Sequence, residues 1–300
     1  MNDENFEITT ILKIAWSGKL WIISFISLAF IISFLYAISL ANKYTSSVLI
    51  VPFEDSSASS NLSKYSGLAN LAGLSIPAES NKAAIGLEIL KSRKFIENFI
   101  YKNELLPELM ASKDWDVKTG KIIFNSKIYD PLSEKWVREV KFPKKAKPST
   151  HEAYDFWIKN IFSMSEDQQT GFITINIEHH SPVIAQMWAN MLINDLNNFI
   201  RESNVEEASK SIEYLEYETI NTNYDELRSL LYSLIQAEIE KKMLAYSRPD
   251  YLFKVIDPAI ISEDKSSPSR VLIIILGSLL GAMLGLLFVL ARIFYIKNFN

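Results

Sequence analysis

The sequence predicts an α+β protein in which two terminal transmembrane helices flank a domain with a small mixed sheet and a long extended helix. Three observations lead to this prediction: an apolar block near each end, short β-rich segments between the blocks, and a long run without Gly or Pro. Apolar residues recur at every second position in a half-buried strand and at every third or fourth position in a helix. These periods assign each segment below.

Both apolar blocks match the thickness of a bilayer. Residues 20–41 are 22 residues without a charge, and residues 271–291 are 21. A helix needs roughly 20 apolar residues to cross the hydrocarbon core. The first block exceeds the roughly 7–15 residues of a signal-peptide core, so we interpret it as a retained anchor rather than a cleaved signal. We therefore expect tails at 1–19 and 292–300 on one side of a membrane and one domain, 42–269, on the other.

Composition excludes several function classes. Residues 42–269 contain 26 Lys and Arg against 32 Asp and Glu, which argues against binding of nucleic acid or anionic lipid through bulk charge. Cysteine is absent, which excludes disulfides, thiolate catalysis and Cys-type zinc sites. Lys and Arg are evenly divided between the two sides of the spans, so the positive-inside rule leaves the orientation open.

Short strands and helices occupy much of the central domain. Five segments have the β-branched or alternating character of strands, namely residues 43–51, 121–129, 136–142, 171–178 and 251–256. The fourth is the clearest, since Ile173, Ile175 and Ile177 alternate with polar residues and would share one face. The last strand is expected to return to the sheet. Three shorter helices are also predicted, within residues 1–19, 83–102 and 151–162.

One much longer helix is predicted from about residue 182 to 246. Ser181 followed by Pro182 is a favourable helix start, and no Gly or Pro follows within the segment. At 1.5 Å per residue the helix would extend roughly 100 Å, with a break near residues 203–209 as an alternative. Its narrow apolar stripe is expected to pack on the domain itself or on neighbouring copies. The packing residues that we predict are Ile220, Leu227, Leu231 and Leu234.

The second apolar block contains a specific pattern of small residues. Gly277, Gly281 and Gly285 recur every fourth residue, so a helix would align them along one face. Small residues allow membrane helices to approach closely. The partner could be the first span, another copy or a different membrane protein. Pro258 and Pro268 mark a polar linker that leads into this span.

Motifs of catalysis are missing from the sequence. It contains no P-loop, no G-x-S-x-G and no H-E-x-x-H motif. His179 and His180 are adjacent in a predicted strand, so they would point to opposite faces, and we expect both to be exposed to solvent. Residues 144–147 form a basic turn that could bind phosphate, although a solvated loop is the simpler interpretation. We therefore expect no catalytic, cofactor-binding or metal-binding residue.

Several segments in this order resemble the Wzz-type polysaccharide co-polymerases, which are O-antigen chain-length determinants. The resemblance covers nearly the whole chain, and its most specific part is the join from the last strand to the Gly-rich span. The segments are KYTSSVLIVP (43–52), SGLANLAGL (66–74), AIGLEILKSRKF (84–95), HHSPVIAQMWAN (179–190), SIEYLEYETI (211–220) and RPDYLFKVIDPAIISEDKSSPSRVLIIILGSLLG (248–281). The linker has fewer prolines than is usual in this family, which leaves open any role of a full proline-rich motif.

The resemblance implies a multi-pass protein of the bacterial inner membrane. Its tails 1–19 and 292–300 would be cytoplasmic and its domain periplasmic. A homo-oligomer would act with a membrane polysaccharide polymerase, and with the nascent polysaccharide, to set the modal chain length of a lipid-linked surface polysaccharide. Lipopolysaccharide O-antigen is the favoured polymer. The regulator itself would catalyse no reaction, in agreement with the motif search.

Two other functions stay open at this point. A branch of the family carries a tyrosine kinase domain after the second span, whereas nine residues follow residue 291 here, so we expect no kinase domain in this chain. The chain could still be the membrane and periplasmic half of a split capsule or exopolysaccharide co-polymerase kinase, or a signalling module. A membrane-tethered enzyme acting on polysaccharide would need an acid and a base that converge in the folded domain.

Overall fold

The computed structural model describes residue 16 and residues 18–53, 79–247 and 250–299. Several predictions therefore lie outside the described residues: the amphipathic stretch before residue 16, the segment 66–74, and the end of the long helix at 248–249. The described residues divide into two compact units. The first consists of Met1–Lys43 with Asp264–Asn300, and the second of Tyr44–Glu263.

The first and last helices belong to the first unit and all other elements to the second. In chain order, the helices are α1 Lys19–Ser39, α2 Glu79–Lys91, α3 Arg93–Lys102, α4 Leu106–Ala111, α5 Thr150–Asn160, α6 Pro182–Asn221, α7 Asp225–Ser247 and α8 Arg270–Phe299. The strands are β1 Tyr44–Pro52, β2 Ser112–Asp116, β3 Lys121–Phe124, β4 Tyr129–Asp130, β5 Lys135–Trp136, β6 Phe162–Glu166, β7 Ile173–His179 and β8 Phe253–Asp257. This mixture confirms the predicted α+β class.

The main sheet of the second unit has the strand order β6-β7-β1-β8. Every pairing in it is antiparallel, so the predicted mixed sheet is wrong in this respect. Strand direction depends on the connections, which the residue pattern does not specify. The alternation in β7 is confirmed, because Ile173, Ile175 and Ile177 are all buried. As expected, the last strand returns to the sheet, beside β1.

Two predicted strands are much shorter than expected. The segments 121–129 and 136–142 contain only β3, β4 and β5, in separate two-stranded ribbons. Residues beyond Trp136 leave the ribbon, and their chain continues as a loop. Apolar residues such as Val137 and Val140 suggested a strand there, but their side chains are exposed. An alternation of residues forms a strand only where a neighbouring strand is available to pair with it.

Three hairpin turns share one arrangement of hydrogen bonds. In each, an Asp carboxylate accepts the N–H two residues later and the hydroxyl three residues later, and the next residue has a positive φ. The sets are Asp116–Thr119–Gly120, Asp130–Ser133–Glu134 and Asp167–Thr170–Gly171. These hydrogen bonds favour the charged carboxylate, so the pKa of each Asp is lowered.

The core of the second unit lies between the sheet and its helices. Helix α6 packs across β1 and β7, while α3 and α4 pack against α5. Four aromatic side chains form a chain of ring contacts: Phe99 meets Trp157 at 5.3 Å, Trp157 meets Trp188 at 5.5 Å, and Trp188 meets His179 at 4.9 Å between ring centroids. This aromatic chain connects the helical layer to the end of β7.

The predicted helix 182–246 is interrupted, so its continuity is a wrong prediction. Helix α6 is a long helix of 40 residues, but Thr222–Tyr224 separate it from α7. The chain then turns back, because Leu252 and Phe253 after α7 donate their N–H groups to Asn197 on α6. Thr and Asn have low helix propensity, and the reversal lets the apolar faces of α6 and α7 pack on each other. We call α6 with α7 the helical hairpin.

Candidate functional site: the terminal helix pair and the helical hairpin

The terminal helix pair, which is α1 with α8, contains the three predicted glycines. Both helices are long and apolar enough to cross a membrane. They run antiparallel, since Arg270 at the start of α8 donates to the carbonyl oxygens of Ala37, at 3.1 Å, and Leu40, at 3.3 Å, at the end of α1. The same guanidinium donates to the Asn42 side chain at 2.9 Å. A cation at a helix C-terminus interacts favourably with the helix dipole.

Gly281 and Gly285 lie directly against the backbone of α1. A Cβ atom on Gly281 would lie 2.6 Å from the Ala29 Cβ and 2.9 Å from the Phe25 carbonyl oxygen. On Gly285 it would lie 2.9 Å from the Ile22 Cα. Side chains do not fit at these distances, so only glycine permits this helix separation.

Small residues on α1 complete the contact. A Cβ on Gly277 would lie 2.5 Å from the Ser33 Cβ. Ala29, Ser33 and Ala37 are four residues apart, and Ser33 and Ala37 are buried. Sequence reasoning considered the glycines alone, although this matching spacing in the first block would have indicated α1 as their partner. The structure brings the three glycines together on α1, while their role in membrane assembly stays a prediction.

The opposite end of the pair is closed by aromatic contacts. Trp21 and Phe25 contact Phe288 with ring centroids 5.2 and 5.4 Å apart. The Arg292 guanidinium lies 5.5 Å from the centre of the Trp21 ring, within the range of a cation–π interaction. Aromatic and basic side chains of this kind suit the interface between bilayer and water.

The helical hairpin contains the four predicted packing residues, but they do not share one environment. Leu231 is 9% exposed and lies inside the hairpin, whereas Ile220 is 82% exposed. Leu227 and Leu234 are about half-exposed. The buried seam of α7 instead continues through Ile235 and Ala245. Packing of Ile220, Leu227 and Leu234 on another copy therefore stays a prediction.

Two asparagines on α6 hold the segment that leads to the predicted linker. Asn197 accepts the N–H groups of Leu252 and Phe253 at 3.1 and 3.0 Å and donates to the Phe253 carbonyl oxygen at 2.8 Å. Asn190, two turns earlier, pairs with both the N–H and the C=O of Ala259. The Asn197 amide therefore satisfies backbone groups at the start of the edge strand β8, and the Asn190 amide satisfies those of the residue after Pro258. A further strand would otherwise have to supply these hydrogen bonds. Sequence reasoning did not identify either asparagine.

Pro258 and Pro268 themselves occupy different settings. Pro258 follows β8 and is exposed to solvent. Pro268 is partly buried and precedes α8 by two residues. Next to it, Ser267 forms a β-bridge with Lys43 inside the first unit. The structure thus brings Pro268, but not Pro258, into the hydrogen-bonded end of the terminal helix pair.

His179 is buried, so the expectation that it is exposed to solvent is wrong. Only 2% of the residue is accessible. Its Nδ1 accepts the Ser181 N–H at 3.0 Å, and its Nε2 lies 3.1 Å from the Glu108 carbonyl oxygen. Since Nδ1 accepts, Nε2 carries the proton and donates to Glu108. The imidazole thereby fixes the turn before α6, where the Ser181 hydroxyl caps the helix by accepting from Ile184.

The basic turn near residue 144 is exposed and is tied to helix α5. Arg138 donates to Glu152 at 2.6 Å, and Lys144 pairs with the same carboxylate at 3.2 Å. The hydrogen bond from Arg138 lowers the pKa of Glu152 to about 2. Glu152 also completes a capping box with Ser149 at the start of α5. A phosphate ion would compete here with Glu152, because its carboxylate already pairs with Arg138 and Lys144.

No metal-binding group is expected from the sequence. Among the residues that the structure describes, no three His, Asp or Glu side chains are placed to hold a metal ion. One shallow depression on α2 is lined by Ala84, Ile85, Glu88 and Ile89 and by Ser92. A single carboxylate among apolar side chains does not supply the acid and base pair that glycoside chemistry needs.

The chain is thus an α+β protein with a helix suited to membrane insertion near each end. Residues 4–103 match the family model of the Wzz chain length determinant protein. Residues 232–294 match the model of GNVR, described as a G-rich domain on putative tyrosine kinase. The resemblance to the Wzz-type family is therefore confirmed. The quoted segments 179–190 and 211–220 lie outside both matches.

The chain also resembles solved structures, among them two of polysaccharide co-polymerases. One is a full-length bacterial polysaccharide co-polymerase, with 16% identity, a TM-score of 0.39 and coverage of 96% of this chain and 98% of that one. The other is a fragment of WzzB, a polysaccharide co-polymerase from Salmonella Typhimurium, with 12% identity, a TM-score of 0.32 and coverage of 75% and 100%. No curated protein matches the sequence. Neither structural likeness is close enough to assign a function.

Proposed function

We propose that this protein is a non-enzymatic regulator of the modal chain length of a lipid-linked surface polysaccharide, with lipopolysaccharide O-antigen as the favoured polymer. The observation that carries the proposal is the match of residues 4–103 to the chain length determinant family. Catalysis would then belong to a separate membrane polymerase.

The regulator would work as a homo-oligomer in the bacterial inner membrane. Helices α1 and α8 would anchor it, with the terminal tails in the cytoplasm and residues 42–269 in the periplasm. Exposed apolar residues on the helical hairpin, Ile220, Leu227 and Leu234, support contact between copies because such patches are unfavourable in water. The assembly would contact the polymerase and the nascent polysaccharide.

In this proposal the terminal helix pair acts as one unit within each copy. Its glycines would hold α1 and α8 at a fixed separation, so that a copy presents a defined surface in the membrane to its neighbours or to the polymerase. The hydrogen bonds from Arg270 to the end of α1 support a fixed register of the two helices. Linker residues Pro258 and Pro268 would connect this pair to the periplasmic domain.

The surface polysaccharide tests this function directly. The polysaccharide ladder is resolved by gel in cells with the gene, without it, and with it restored. We expect the deletion to replace a clustered band of lengths by a broad spread and the restored gene to recover the cluster. An unchanged ladder in the deletion strain would contradict the regulator.

A second function is favoured by one specific observation, which is the match of residues 232–294 to a domain described on putative tyrosine kinases. The chain would then be the membrane and periplasmic half of a split capsule or exopolysaccharide co-polymerase kinase or signalling module. In that case the deletion would leave the O-antigen ladder unchanged and would lower tyrosine phosphorylation of membrane proteins. Immunoblotting of phosphotyrosine in the same strains separates the two functions.

A further inference from the structure

An exposed phenylalanine stands at the tip of a loop in the second unit. We call residues 138–146 the Phe142 loop. The Lys144 N–H donates to the Lys141 carbonyl oxygen at 3.1 Å, so Phe142 and Pro143 are the central residues of a turn. The Phe142 side chain is 97% exposed. Leaving a phenylalanine in water forgoes the favourable burial of a large apolar surface.

Hydrogen bonds from Arg138 hold the two ends of the loop, with the exposed phenylalanine between them. Arg138 donates to the carbonyl oxygens of Ala146 at 2.7 Å and Lys145 at 2.8 Å. The same guanidinium bonds to Glu152 at 2.6 Å. The Arg138 and Glu152 side chains are only 15% and 14% exposed, which protects their interaction from solvent screening. The two ends of the loop are therefore fixed to each other and to helix α5.

Positive charge surrounds this apolar tip. Residues 138–147 contain five basic residues and one acidic residue, although residues 42–269 are acidic overall. Arg138 and Lys144 pair with Glu152. Lys141 and Lys145 flank the phenylalanine, are exposed, and form no ion pair with other residues that the structure describes. Binding of a phosphate ion would account for the exposed lysines but not for the exposed phenylalanine.

We propose that the Phe142 loop docks on an anionic lipid bilayer. An aromatic ring inserts favourably at the boundary between head groups and acyl chains, and lysines beside it attract anionic head groups. This combination of one apolar tip and neighbouring cations is complementary to an anionic bilayer in both charge and polarity. The inference rests on the proposed membrane anchoring, in which the terminal helices would hold the protein at a bilayer.

The absence of cysteine makes the test specific. Single-cysteine variants of the full chain carry an environment-sensitive fluorophore and are placed in nanodiscs with or without phosphatidylglycerol. The variants are Phe142→Cys in the loop, Glu207→Cys as an exposed control on the hairpin, and Leu28→Cys as a reporter of α1 in the bilayer. Lipids with a nitroxide on the acyl chain quench a fluorophore only when it reaches the bilayer.

Docking predicts that the label at position 142 shifts to shorter emission wavelengths and is quenched in discs containing phosphatidylglycerol. The label at position 207 should stay solvent-like. Each lysine near an anionic surface strengthens binding roughly fivefold. Lys141→Glu with Lys145→Glu, which replace exposed side chains, should therefore lower the ratio of docked to free loop by at least that factor, with an unchanged circular dichroism spectrum.

Three outcomes would overturn the inference. If the label at 142 stays solvent-like in both discs while the label at 28 is quenched, the loop does not dock, although the anchoring stands. If the label at 142 is shielded but not quenched, it contacts another copy and not lipid. If the label at 28 is not quenched, the proposed anchoring fails, and the docking inference fails with it.

Discussion

Two antiparallel helix pairs in this chain are held together by different contacts. In the terminal helix pair, Gly281 and Gly285 bring α8 against the backbone of α1. In the helical hairpin, the contact is made by larger side chains such as Leu231 and Ile235, which are buried between α6 and α7. The first pair is apolar all around, while the second carries many charged residues on its outer faces.

The difference follows from the surroundings that suit each pair, which are water for the helical hairpin and a bilayer for the terminal helix pair. In water, burying leucine and isoleucine is favourable because apolar surface leaves the solvent. In a bilayer the lipid tails are as apolar as leucine, so helices associate through close packing of small residues instead. The same chain therefore encodes two kinds of helix contact, and single substitutions should affect them by different physical routes.

The largest effect is expected from Gly281→Leu in the terminal helix pair. The leucine would collide with Ala29 and with the backbone at Phe25, at a cost on the order of 3 kcal/mol or more. Distances between spin labels on Leu20→Cys and Leu287→Cys should lengthen and broaden in electron resonance measurements of the labelled chain. The proposed chain-length control should weaken in the same variant.

Leu280→Phe provides the matched control for Gly281→Leu. It also enlarges a residue of α8, but Leu280 is exposed and does not face α1. Label distances and polysaccharide lengths should therefore remain as in the parent chain. An unchanged label distance in Gly281→Leu would contradict the close packing of the pair.

Acid should affect the Phe142 loop and leave the apolar contacts of both helix pairs unchanged. The pKa of Glu152 is lowered from 4.5 to about 2 by its hydrogen bond with Arg138. A lowered folded-state pKa gives a contribution to stability that is complete above pH 4.5 and is lost as the pH falls through about 2. Because solvent screens part of this interaction, that contribution is at most about 3 kcal/mol.

Glu152→Gln tests this contribution. The unfolding temperature of the full chain in detergent is measured from pH 7 to pH 2 for both proteins. The parent should be more stable at pH 7, and the difference should shrink between pH 4.5 and pH 2. A difference that is independent of pH would show that the carboxylate charge is not its cause.

Leu231→Ala should weaken the helical hairpin by about 2 kcal/mol, because it removes a buried side chain and leaves a cavity. Leu234→Ala is the control, since Leu234 is half-exposed and lies one turn away on the same helix. Its effect on the unfolding midpoint in urea should stay within about 0.5 kcal/mol. Equal effects of the two substitutions at dilute concentration would contradict the observed seam.

The smallest effect is expected at the tip of the hairpin, from Arg228→Ala. Arg228 donates to the Thr222 carbonyl oxygen at 2.7 Å and pairs with Asp225 at 3.4 Å. Losing these exposed interactions should cost about 1 kcal/mol. Hydrogen exchange of amides near residue 224 should accelerate, whereas Lys241→Ala, which removes an ion pair in the C-terminal half of α7, should leave them unchanged.

Features with a strong period were predictable from the sequence. The two apolar blocks and the alternation of Ile173, Ile175 and Ile177 correspond to α1, α8 and β7. Each of these segments has a pattern that only one kind of secondary structure can satisfy. The glycine spacing in the second block indicated a packing face, but the residues alone left its partner open, because the partner depends on tertiary structure.

Features that depend on tertiary contacts were not predictable from the local pattern of residues in the sequence. The break at Thr222–Tyr224 has no Gly or Pro and depends on α7 folding back on α6. His179 looked like an exposed histidine, but the backbone of Glu108 and Ser181 satisfies both ring nitrogens. In contrast, the Asp-x-x-[Ser/Thr] turns have a local signature and could have been predicted.

Because β1 lies beside β8, the second unit can be transferred as a whole from one protein to another. The two strands pair antiparallel, and the Ser46 hydroxyl bonds to Ile260 beyond the end of β8. The entry and exit of residues 44–263 are therefore neighbours. Domains with adjacent ends tolerate insertion into foreign chains. Chimaeras that graft this unit between other pairs of spans would keep its fold and would test which part carries the proposed control of chain length.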